Sequence, residues 1–317
     1  MSRAAALLFA CLVGCRAAPI PLAARYPAGT PLVPHYVELE GEQIRYVDTG
    51  RGTPVIFVHG FGASLYAWRK TLAPVAAAGF RALAYDNRGF GSSAKPAQGY
   101  SNAAYARLLL EFMDSLGLAD AVLVGHSMGG AIVAEVAIAQ PERVRGLVLI
   151  DAAGFGVRAP VVLRLASTRA LAPLVAALRG RWITARLLRS TYANPHEVMP
   201  EDVDQYYAPV AERDFGQALR GVLREFRFDA LRGGRLAGVQ TPTLALWGEE
   251  DRWIPPVLGM ALAADLPRVA FVLVPHAGHA AAEEEPAEVN RLLIAFLREG
   301  VPGVPRDLAL AGAAQRR

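Results

Sequence analysis

The chain of 317 residues contains little cysteine, little lysine and no long apolar run beyond its first residues. Its two cysteines are Cys11 and Cys15, so the rest of the chain can form no disulfide and offers no thiol nucleophile. Past this start, no segment reaches the roughly 18 unbroken apolar residues expected of a membrane-spanning helix. We therefore expect a soluble folded body, whose redox compartment cysteine usage does not reveal.

The chain as a whole has only a small excess of positive charge. The formal net charge is +4 and the pI is about 9.2, and because Lys70 and Lys95 are the only lysines, the basic character comes almost wholly from arginine. Nucleic-acid binding requires basic residues clustered with aromatic residues on one face. These arginines are spread along the chain, which predicts no nucleic-acid partner.

Signatures of cofactor and metal binding are missing as well. The glycine-rich stretches match neither the G-x-G-x-x-G pattern of dinucleotide binding nor the phosphate-binding P-loop. Histidine, aspartate and glutamate do not recur at metal-ligand spacing. The sequence predicts neither a cofactor nor a metal ion.

The N-terminus has the pattern of an export leader. Arg3 precedes an apolar run over residues 4–14, which is too short to span a bilayer but suits the apolar region of a signal peptide. The segment Leu12–Cys15 resembles a bacterial lipobox, which implies a lipid anchor on Cys15 and an exported protein held at a membrane surface. The alternatives are an uncut anchor, a secretory signal ending near Ala18, or a frayed terminus of a cytoplasmic protein.

Strand and helix patterns alternate along the chain, which predicts one α/β fold with a mostly parallel central sheet and helices on both faces. Between the strands at Val144–Ile150 and Thr243–Trp247, strand patterns give way to helical, proline-interrupted stretches, which indicates a helical insertion. The predicted division is 1–34 leader and tether, 35–154 first part of the core, 155–230 helical cap, 231–299 second part of the core, and 300–317 flexible tail.

The most informative motif is Gly125-His126-Ser127-Met128-Gly129, which follows an apolar strand directly and opens a helical stretch. A serine at a sharp strand-to-helix turn adopts a strained backbone, and the close approach of the flanking chain disfavours side chains on either side. The motif therefore predicts a nucleophilic serine held over the end of the sheet.

A serine hydroxyl needs a base and a carboxylate that orients the base. Asp251 follows the strand Leu244–Trp247, and His279 follows the last strand, so both should lie with Ser127 at the carboxyl ends of parallel strands. His276 competes with His279 as the base. Asp151, at the end of Val144–Ile150, competes with Asp251 as the acid.

An acyl-transfer site also requires donors for the oxyanion that forms during the reaction. The segment His59–Gly62 ends the first parallel strand in a glycine-rich turn, so the backbone N–H of Phe61 can point where the N–H of Met128 points. These two amides are the predicted oxyanion hole. Phe61, Met128 and Trp253 are candidates for the lining of the substrate pocket.

Five motifs in register carry a family resemblance over roughly residues 35–299, and the chain resembles an α/β-hydrolase fold serine hydrolase with a helical cap. They are His59-Gly60-Phe61-Gly62, the run Asp86–Ser92, Gly125–Gly130, Gly248 with Asp251 and Pro255, and Gly278-His279 followed by Glu284 and Pro286. The resemblance implies Ser127 as nucleophile, His279 as base and then acid, Asp251 as orienting acid, and the amides of Phe61 and Met128 as oxyanion hole.

The expected substrate is a small carboxylic ester with a hydrophobic acyl or alcohol part, because the apolar insertion would roof an apolar pocket. A carbon–carbon bond hydrolase or a perhydrolase of the same fold is the enzymatic alternative, although the carbon–carbon hydrolases typically resemble Gly-Asn-Ser-Met-Gly where this chain has His126. From another class, the chain could be a non-catalytic binder of hydrophobic ligands or membranes, using the arginine-bearing segment Val161–Leu188. The sequence does not indicate an oligomeric state.

Overall fold

The computed structural model describes residues 32–155 and 180–299, which form an α/β fold around one eight-stranded sheet. The order is β1-β2-β4-β3-β5-β6-β7-β8; β1 and β2 pair antiparallel, β2 runs antiparallel to β4, and all remaining neighbours are parallel. The strands are β1 His35–Leu39, β2 Glu42–Gly50, β3 Pro54–Val58, β4 Arg81–Tyr85, β5 Ala121–His126, β6 Val144–Ile150, β7 Thr243–Gly248 and β8 Val269–Val274. The predicted fold class is confirmed.

Helices connect the parallel strands. They are α1 Leu72–Ala77, α2 Asn102–Ser115, α3 Met128–Ala139, α4 Arg181–Thr191, α5 Pro200–Val210, α6 Phe215–Glu225, α7 Pro256–Ala264, α8 Ala281–Glu284 and α9 Pro286–Arg298. Short 3₁₀ turns lie at Leu65–Trp68, Pro141–Arg143 and Pro195–Glu197. The sequence offers Ser101 or Asn102 as the cap of α2, and the Ser101 side chain accepts the N–H of Ala104 at 3.2 Å.

The sheet separates two apolar layers. Along β3, Ile56 and Val58 face one cluster of buried residues and Val55 and Phe57 face the other, as expected for a strand covered by helices on both sides. All four side chains are fully buried. This two-sided burial explains why β3 reads as a continuous apolar run instead of an alternating one.

The apolar pattern between β3 and β4 predicts one helix from about Tyr66 to Ala78, ended by Gly79, and this prediction is wrong. The chain instead forms the 3₁₀ turn at Leu65–Trp68, a break, and the short helix α1. Pro74 gives the physical reason, because proline lacks an N–H and fits only the first turn of a helix. Helix α1 begins two residues before it.

Helices α4, α5 and α6 occupy the chain between β6 and β7, where the sequence predicts the helical cap. Residues 156–179, and with them most of the segment Val161–Leu188, lie outside the described residues, as do residues 1–31 with Cys15 and the tail 300–317. The division into leader, core, cap and tail stays a prediction. Over residues 32–155 and 180–299, no helix is long and apolar enough to cross a membrane.

Candidate active site

Ser127 lies at a strained turn between β5 and α3. Its φ of +51° and ψ of −118° are unusual for a residue with a side chain. The turn is held from β6, since the N–H of Ser127 donates to the carbonyl of Ile150 at 3.0 Å and its carbonyl accepts the N–H of Ala153 at 2.9 Å. Backbone strain held by surrounding hydrogen bonds is typical of functional sites.

The glycines around the serine are required by close packing. A Cβ added to Gly125 would lie 2.4 Å from the carbonyl oxygen of Gly129, and one added to Gly129 would lie 2.1 Å from the carbonyl oxygen of Val58. Both neighbours are backbone atoms that side-chain rotation does not move. The predicted crowding at the elbow is therefore observed, and it presses the start of α3 against the end of β3.

The serine, histidine and aspartate predicted to act together are in contact. His279 Nε2 lies 3.0 Å from Ser127 Oγ, and His279 Nδ1 lies 2.8 Å from Asp251 Oδ2. All three side chains are largely buried. They come from the ends of β5, β7 and β8, so parallel strands bring together residues more than 100 positions apart in sequence.

Asp251 is fixed from behind by the backbone of its own loop. Its Oδ1 accepts the N–H groups of Trp253 and Ile254, each at 2.8 Å, and this leaves Oδ2 for the histidine. The loops that follow β7 and β8 pack closely, which sets the distance between Asp251 and His279. A Cβ on Gly248 would lie 1.9 Å from the carbonyl oxygen of Gly278. The orienting carboxylate therefore has a single defined position.

The rival acid, Asp151, does not reach the histidine. Its Oδ1 accepts the N–H of Gly248 at 2.7 Å, and its Oδ2 accepts the N–H of Ala281 at 3.3 Å. Burial, together with the negative charge of Asp251, raises the pKa of the Asp151 carboxyl well above its usual range. The geometry thus assigns the partner of His279 to Asp251, and Asp151 ties the neighbouring strand ends together.

The rival base, His276, is exposed on the loop after β8 and has a φ of +61°. His279 is buried in the same loop, three residues later. Among the described contacts, only His279 joins Ser127 to a carboxylate.

The glycine-rich turn after β3 packs directly against the nucleophile elbow. A Cβ on Gly60 would lie 3.0 Å from both the Cβ of Ser127 and the Nδ1 of His126, so the following N–H, that of Phe61, is held beside the elbow. His59 braces this turn: its Nε2 accepts the N–H of Asn87 at 2.9 Å, and its Nδ1 then donates to the carbonyl of Gly60 at 2.8 Å. Burial lowers the pKa of His59, which agrees with this neutral bracing role.

The run Asp86–Ser92 supports the same turn from the next strand. The carboxylate of Asp86 accepts the N–H of Leu65 at 2.8 Å and pairs with Arg45 at 2.6 Å. Burial alone would raise the pKa of Asp86, but the charge of Arg45 and these hydrogen bonds hold the pKa below its usual value. These contacts give Asp86 a structural role at the turn.

Trp253, predicted to line the pocket, packs directly on His279. Its indole lies nearly parallel to the imidazole of His279, at a 12° interplanar angle with ring centroids 5.8 Å apart. The indole Nε1–H donates to the carbonyl of Ser190 in α4 at 3.0 Å. Trp253 thus links the triad to the insertion, and its contact with substrate stays a prediction.

An aromatic group extends from the other side of the site. The ring of Phe61 packs edge-on against Phe90 and Phe228, with centroids 5.6 Å and 6.1 Å away, and Phe228 packs in turn on Phe226. Phe61 and Phe228 are both only partly buried. The Phe61 side of the site is therefore apolar, with contributions from the chain just after α6.

The sequence did not identify two residues that fix the catalytic histidine. His126 Nε2 lies 2.7 Å from the carbonyl oxygen of His279 and donates to it, and burial lowers the pKa of His126 to about 3, so this ring is neutral. The carboxylate of Glu284 accepts backbone N–H groups on either side of His279. The motifs contain both residues, but their positions alone do not show what their side chains bond.

Among residues 32–155 and 180–299, no cluster of histidine, cysteine, aspartate and glutamate side chains has a metal-binding arrangement. The chemistry available at the described site is that of a hydroxyl activated by an imidazole and a carboxylate. This arrangement can transfer an acyl group from a carbonyl substrate to the serine and then to water.

Comparison with known proteins identifies the family. The family model described as alpha/beta hydrolase fold matches residues 53–286, which is most of the chain, and the chain therefore belongs to the α/β-hydrolase fold family of hydrolases. A putative carbamate hydrolase of Variovorax paradoxus is 33% identical over 260 residues, covering 80% of this chain and 95% of the relative. The predicted family and the assignment as a hydrolase are confirmed.

Two further similarities bear on the reaction. The 2-hydroxy-6-oxo-6-phenylhexa-2,4-dienoate hydrolase of Burkholderia cepacia is 28% identical, covering 83% of this chain and 93% of the relative, and other relatives have names of the same kind. The crystal structure of a membrane phospholipase A superposes with a TM-score of 0.72 at 28% identity, covering 94% of each chain. The family accordingly contains hydrolases of different bonds.

Proposed function

We propose that the protein is a serine hydrolase that cleaves neutral carboxylic esters with an apolar acyl or alcohol part. The contact that carries this proposal is the 3.0 Å approach of His279 Nε2 to Ser127 Oγ, completed by the 2.8 Å contact of the same ring with Asp251. Because Asp251 accepts from Nδ1, the other nitrogen is free of its proton and can take one from the serine.

In the proposed reaction, Ser127 Oγ attacks the carbonyl carbon of the ester while its proton passes to His279 Nε2. The oxyanion that forms accepts hydrogen bonds from the N–H groups of Phe61 and Met128. The C–O bond then breaks, and the alcohol leaves with the proton from His279. A water molecule, activated by the same imidazole, attacks the acyl-enzyme and releases the carboxylic acid.

The charges of the described residues support a neutral substrate. Each arginine or lysine whose side chain is buried in this part of the chain is paired with carboxylates: Arg45 with Asp86, Arg69 with Asp202 and Glu283, Arg88 with Glu40 and Glu42, and Lys95 with Glu212. A substrate carboxylate buried next to one of these paired cations would lose hydration without gaining an unpaired charge. An uncharged ester with apolar groups loses little hydration free energy when it is buried.

Carbon–carbon bond hydrolysis is the second candidate, and the relatives favour it. Several carry names of dienoate hydrolases. Dienoate substrates are anions, and the buried arginines and lysine of the described residues are already paired with carboxylates. His126, which donates to the His279 carbonyl, also stands where those enzymes typically have asparagine.

The test of the nucleophile is labelling by an activated fluorophosphonate probe. We expect one mole of probe per mole of protein, attached at Ser127, and no labelling or ester turnover by Ser127→Ala. A folded wild-type protein that the probe does not label would contradict the proposal and favour a non-catalytic binder of hydrophobic ligands.

The test of the bond is a substrate panel. p-Nitrophenyl esters with acyl chains from acetate to dodecanoate should be hydrolysed with a kcat/KM that rises with acyl length, since the aromatic group around Phe61 makes this side of the site apolar. The matched comparison is 2-hydroxy-6-oxo-6-phenylhexa-2,4-dienoate, followed by loss of its visible absorbance. A kcat/KM for this dienoate above that for every ester would replace our proposal with the second candidate.

For cellular location, we propose export and a lipid anchor on Cys15. The lipobox-like segment Leu12–Cys15 supports this, and one similar structure is that of an enzyme described as a membrane phospholipase A. Metabolic labelling with palmitate should mark the protein and be lost in Cys15→Ser. Membrane association that persists without any labelling would contradict the lipid anchor.

A further inference from the structure

We infer that Glu284 is a positioning residue that links the cap segment Thr191–Ala193 to the catalytic histidine. The inference rests on the proposed serine hydrolase function and concerns how His279 is held. Glu284 lies at the end of the short helix α8, five residues after His279, and its side chain is buried.

The two oxygens of the Glu284 carboxylate have different partners. Oε1 accepts the N–H of Gly278 at 2.9 Å and that of Ala280 at 3.2 Å, which are the residues on either side of His279. Oε2 accepts the N–H of Ala193 at 2.6 Å, just beyond the C-terminal end of α4. One carboxylate therefore holds the histidine loop with one oxygen and the insertion with the other.

The insertion also contacts the histidine loop directly. The backbone N–H of His279 donates to the carbonyl of Thr191 at 2.6 Å. A Cβ on Gly278 would lie 2.6 Å from both the carbonyl oxygen of Thr191 and the nitrogen of Ala193. The cap segment thus packs against the backbone of the loop with no room for a side chain between them.

These contacts leave the histidine loop little freedom. The peptide groups around His279 bond to Glu284, to Thr191 and, through the His279 carbonyl, to His126. The imidazole must keep both of its contacts, near 3 Å, for proton transfer from the serine. A shift of the segment Thr191–Ala193 would move this loop, so cap position and triad geometry are coupled through Glu284.

The substitution Glu284→Gln separates the contact with the histidine loop from the contact with the cap segment. The glutamine carbonyl oxygen can accept from Gly278 and Ala280, whereas its NH₂ group faces the N–H of Ala193, which is also a donor. The reverse orientation would oppose the NH₂ to two donors and is disfavoured. Glu284→Gln should keep the histidine loop and lose the bond to the cap, whereas Glu284→Ala should lose both.

The first measurement is the second-order rate constant of fluorophosphonate labelling. All variants are compared at equal concentrations of folded protein, and circular dichroism checks the folding. We expect Glu284→Ala to be labelled about tenfold more slowly than wild type or slower still, since an anionic acceptor of two loop N–H groups is lost. Glu284→Gln should be labelled within about threefold of the wild-type rate. Glu285→Gln, a change at the neighbouring partly exposed glutamate, should match wild type.

The second measurement addresses the cap. With the best ester of the panel, Glu284→Gln should raise KM about threefold or more with little change in kcat, because the cap contact is lost while the triad is kept. Ala193→Pro, which removes the N–H that donates to Oε2, should raise KM in wild type and add no further effect in the Glu284→Gln background.

The outcomes are distinguishable from failure of the proposed function. An unlabelled wild type overturns the serine hydrolase proposal itself. A labelled wild type together with folded Glu284→Ala labelled equally fast overturns the positioning role. A Glu284→Gln variant as slow as Glu284→Ala, or with unchanged KM, overturns the division between the two oxygens.

Discussion

At the scale of single residues, the orienting acid is decided by which carboxylate contacts the imidazole. Asp251 and Asp151 are both buried aspartates that directly follow or closely follow parallel strands, and sequence position alone does not separate them. The 2.8 Å contact with His279 Nδ1 belongs to Asp251, while the oxygens of Asp151 are occupied by backbone N–H groups.

We predict that Asp251→Asn lowers kcat by about 10³- to 10⁴-fold, because the amide would favour the wrong tautomer of His279. The measurement is ester turnover at pH 7.5 with folding checked by circular dichroism. The matched variant is Asp151→Asn, which keeps an acceptor for the N–H of Gly248 and should lower kcat by less than about tenfold. A larger loss in Asp151→Asn than in Asp251→Asn would reverse the assignment of the acid.

The contact among Ser127, Asp251 and His279 could be predicted from sequence because each residue directly or closely follows an apolar strand of a parallel sheet, and their catalytic roles stay a prediction. The residues that position these three side chains could not be predicted. His126 bonds a carbonyl 153 positions away, and Glu284 bonds an N–H 91 positions away. Such contacts depend on how the loops and the insertion pack, and no local pattern records them.

At the scale of secondary structure elements, the elbow depends on the close contact between helix α3 and strand β3. We predict that Gly129→Ala destabilises the fold by about 3 kcal/mol or more, since the added methyl would meet the backbone of Val58 and the cost of overpacking reaches this range. Chemical denaturation followed by circular dichroism measures the change.

Gly238 provides the control for this substitution. A Cβ there would have no atom within 4 Å, and its backbone lies outside the left-handed region, so Gly238→Ala should leave stability unchanged or raise it slightly. Equal effects of the two substitutions would show that crowding at the elbow does not limit the fold.

Most element boundaries could be predicted from the sequence. The sequence predicts strands at Pro54–Val58, Arg81–Tyr85 and Val144–Ile150, and β3, β4 and β6 begin and end at these residues. Burial on both faces makes them continuous apolar runs bounded by polar turns. The failure between residues 65 and 77 has a different origin. There the spacing of apolar residues in the sequence stays helical, although the structure has a break between the 3₁₀ turn and α1. The break depends on Pro74 and on the capping of the 3₁₀ turn by Ser64.

At the scale of the whole molecule, a buried ionic cluster joins the insertion to the core. Arg69, which follows the 3₁₀ turn, pairs with Asp202 of α5 at 2.7 Å and with Glu283 of α8. The hydroxyls of Tyr192 and Tyr206 also donate to the Glu283 carboxylate. The cluster connects three elements at a single guanidinium.

We predict that Arg69→Met destabilises the protein by about 3 to 5 kcal/mol, because two buried carboxylates lose their cation. Arg291→Met is the matched control. Arg291 pairs with Glu288 within helix α9 at an exposed position, and losing such a pair typically costs less than about 1 kcal/mol. Urea denaturation of both variants measures the difference, and similar losses would contradict a role of the cluster in stability.

The pH dependence of stability should report Glu284. Burial raises its pKa to about 7 from an ordinary value of 4.5, although its hydrogen bonds to backbone N–H groups oppose the shift. Between these values the folded state binds the proton more tightly than the unfolded state, so this group makes stability fall as pH rises through the window. This contribution to the free energy of unfolding is largely lost once the pH exceeds the raised pKa.

In Glu284→Gln this contribution is absent, so the loss of unfolding free energy between pH 4.5 and pH 8 should be smaller than in wild type. Glu285→Gln should follow the wild-type curve. The test compares the pH dependence of the unfolding free energy in wild type and in Glu284→Gln. The difference between the two curves isolates Glu284, because groups such as Asp86, whose pKa is lowered, act in the opposite direction in both proteins. Parallel curves for wild type and Glu284→Gln would show that Glu284 keeps an ordinary pKa.

The placement of the triad on β5, β7 and β8 has a consequence for how activity returns when the denatured chain refolds. A chain in which β3 to β7 have assembled but β8 has not would possess the nucleophile and its acid without the base. Recovery of turnover should therefore lag behind recovery of the helical circular dichroism signal. The rate at which turnover recovers would then measure how fast β8 pairs at the edge of the sheet.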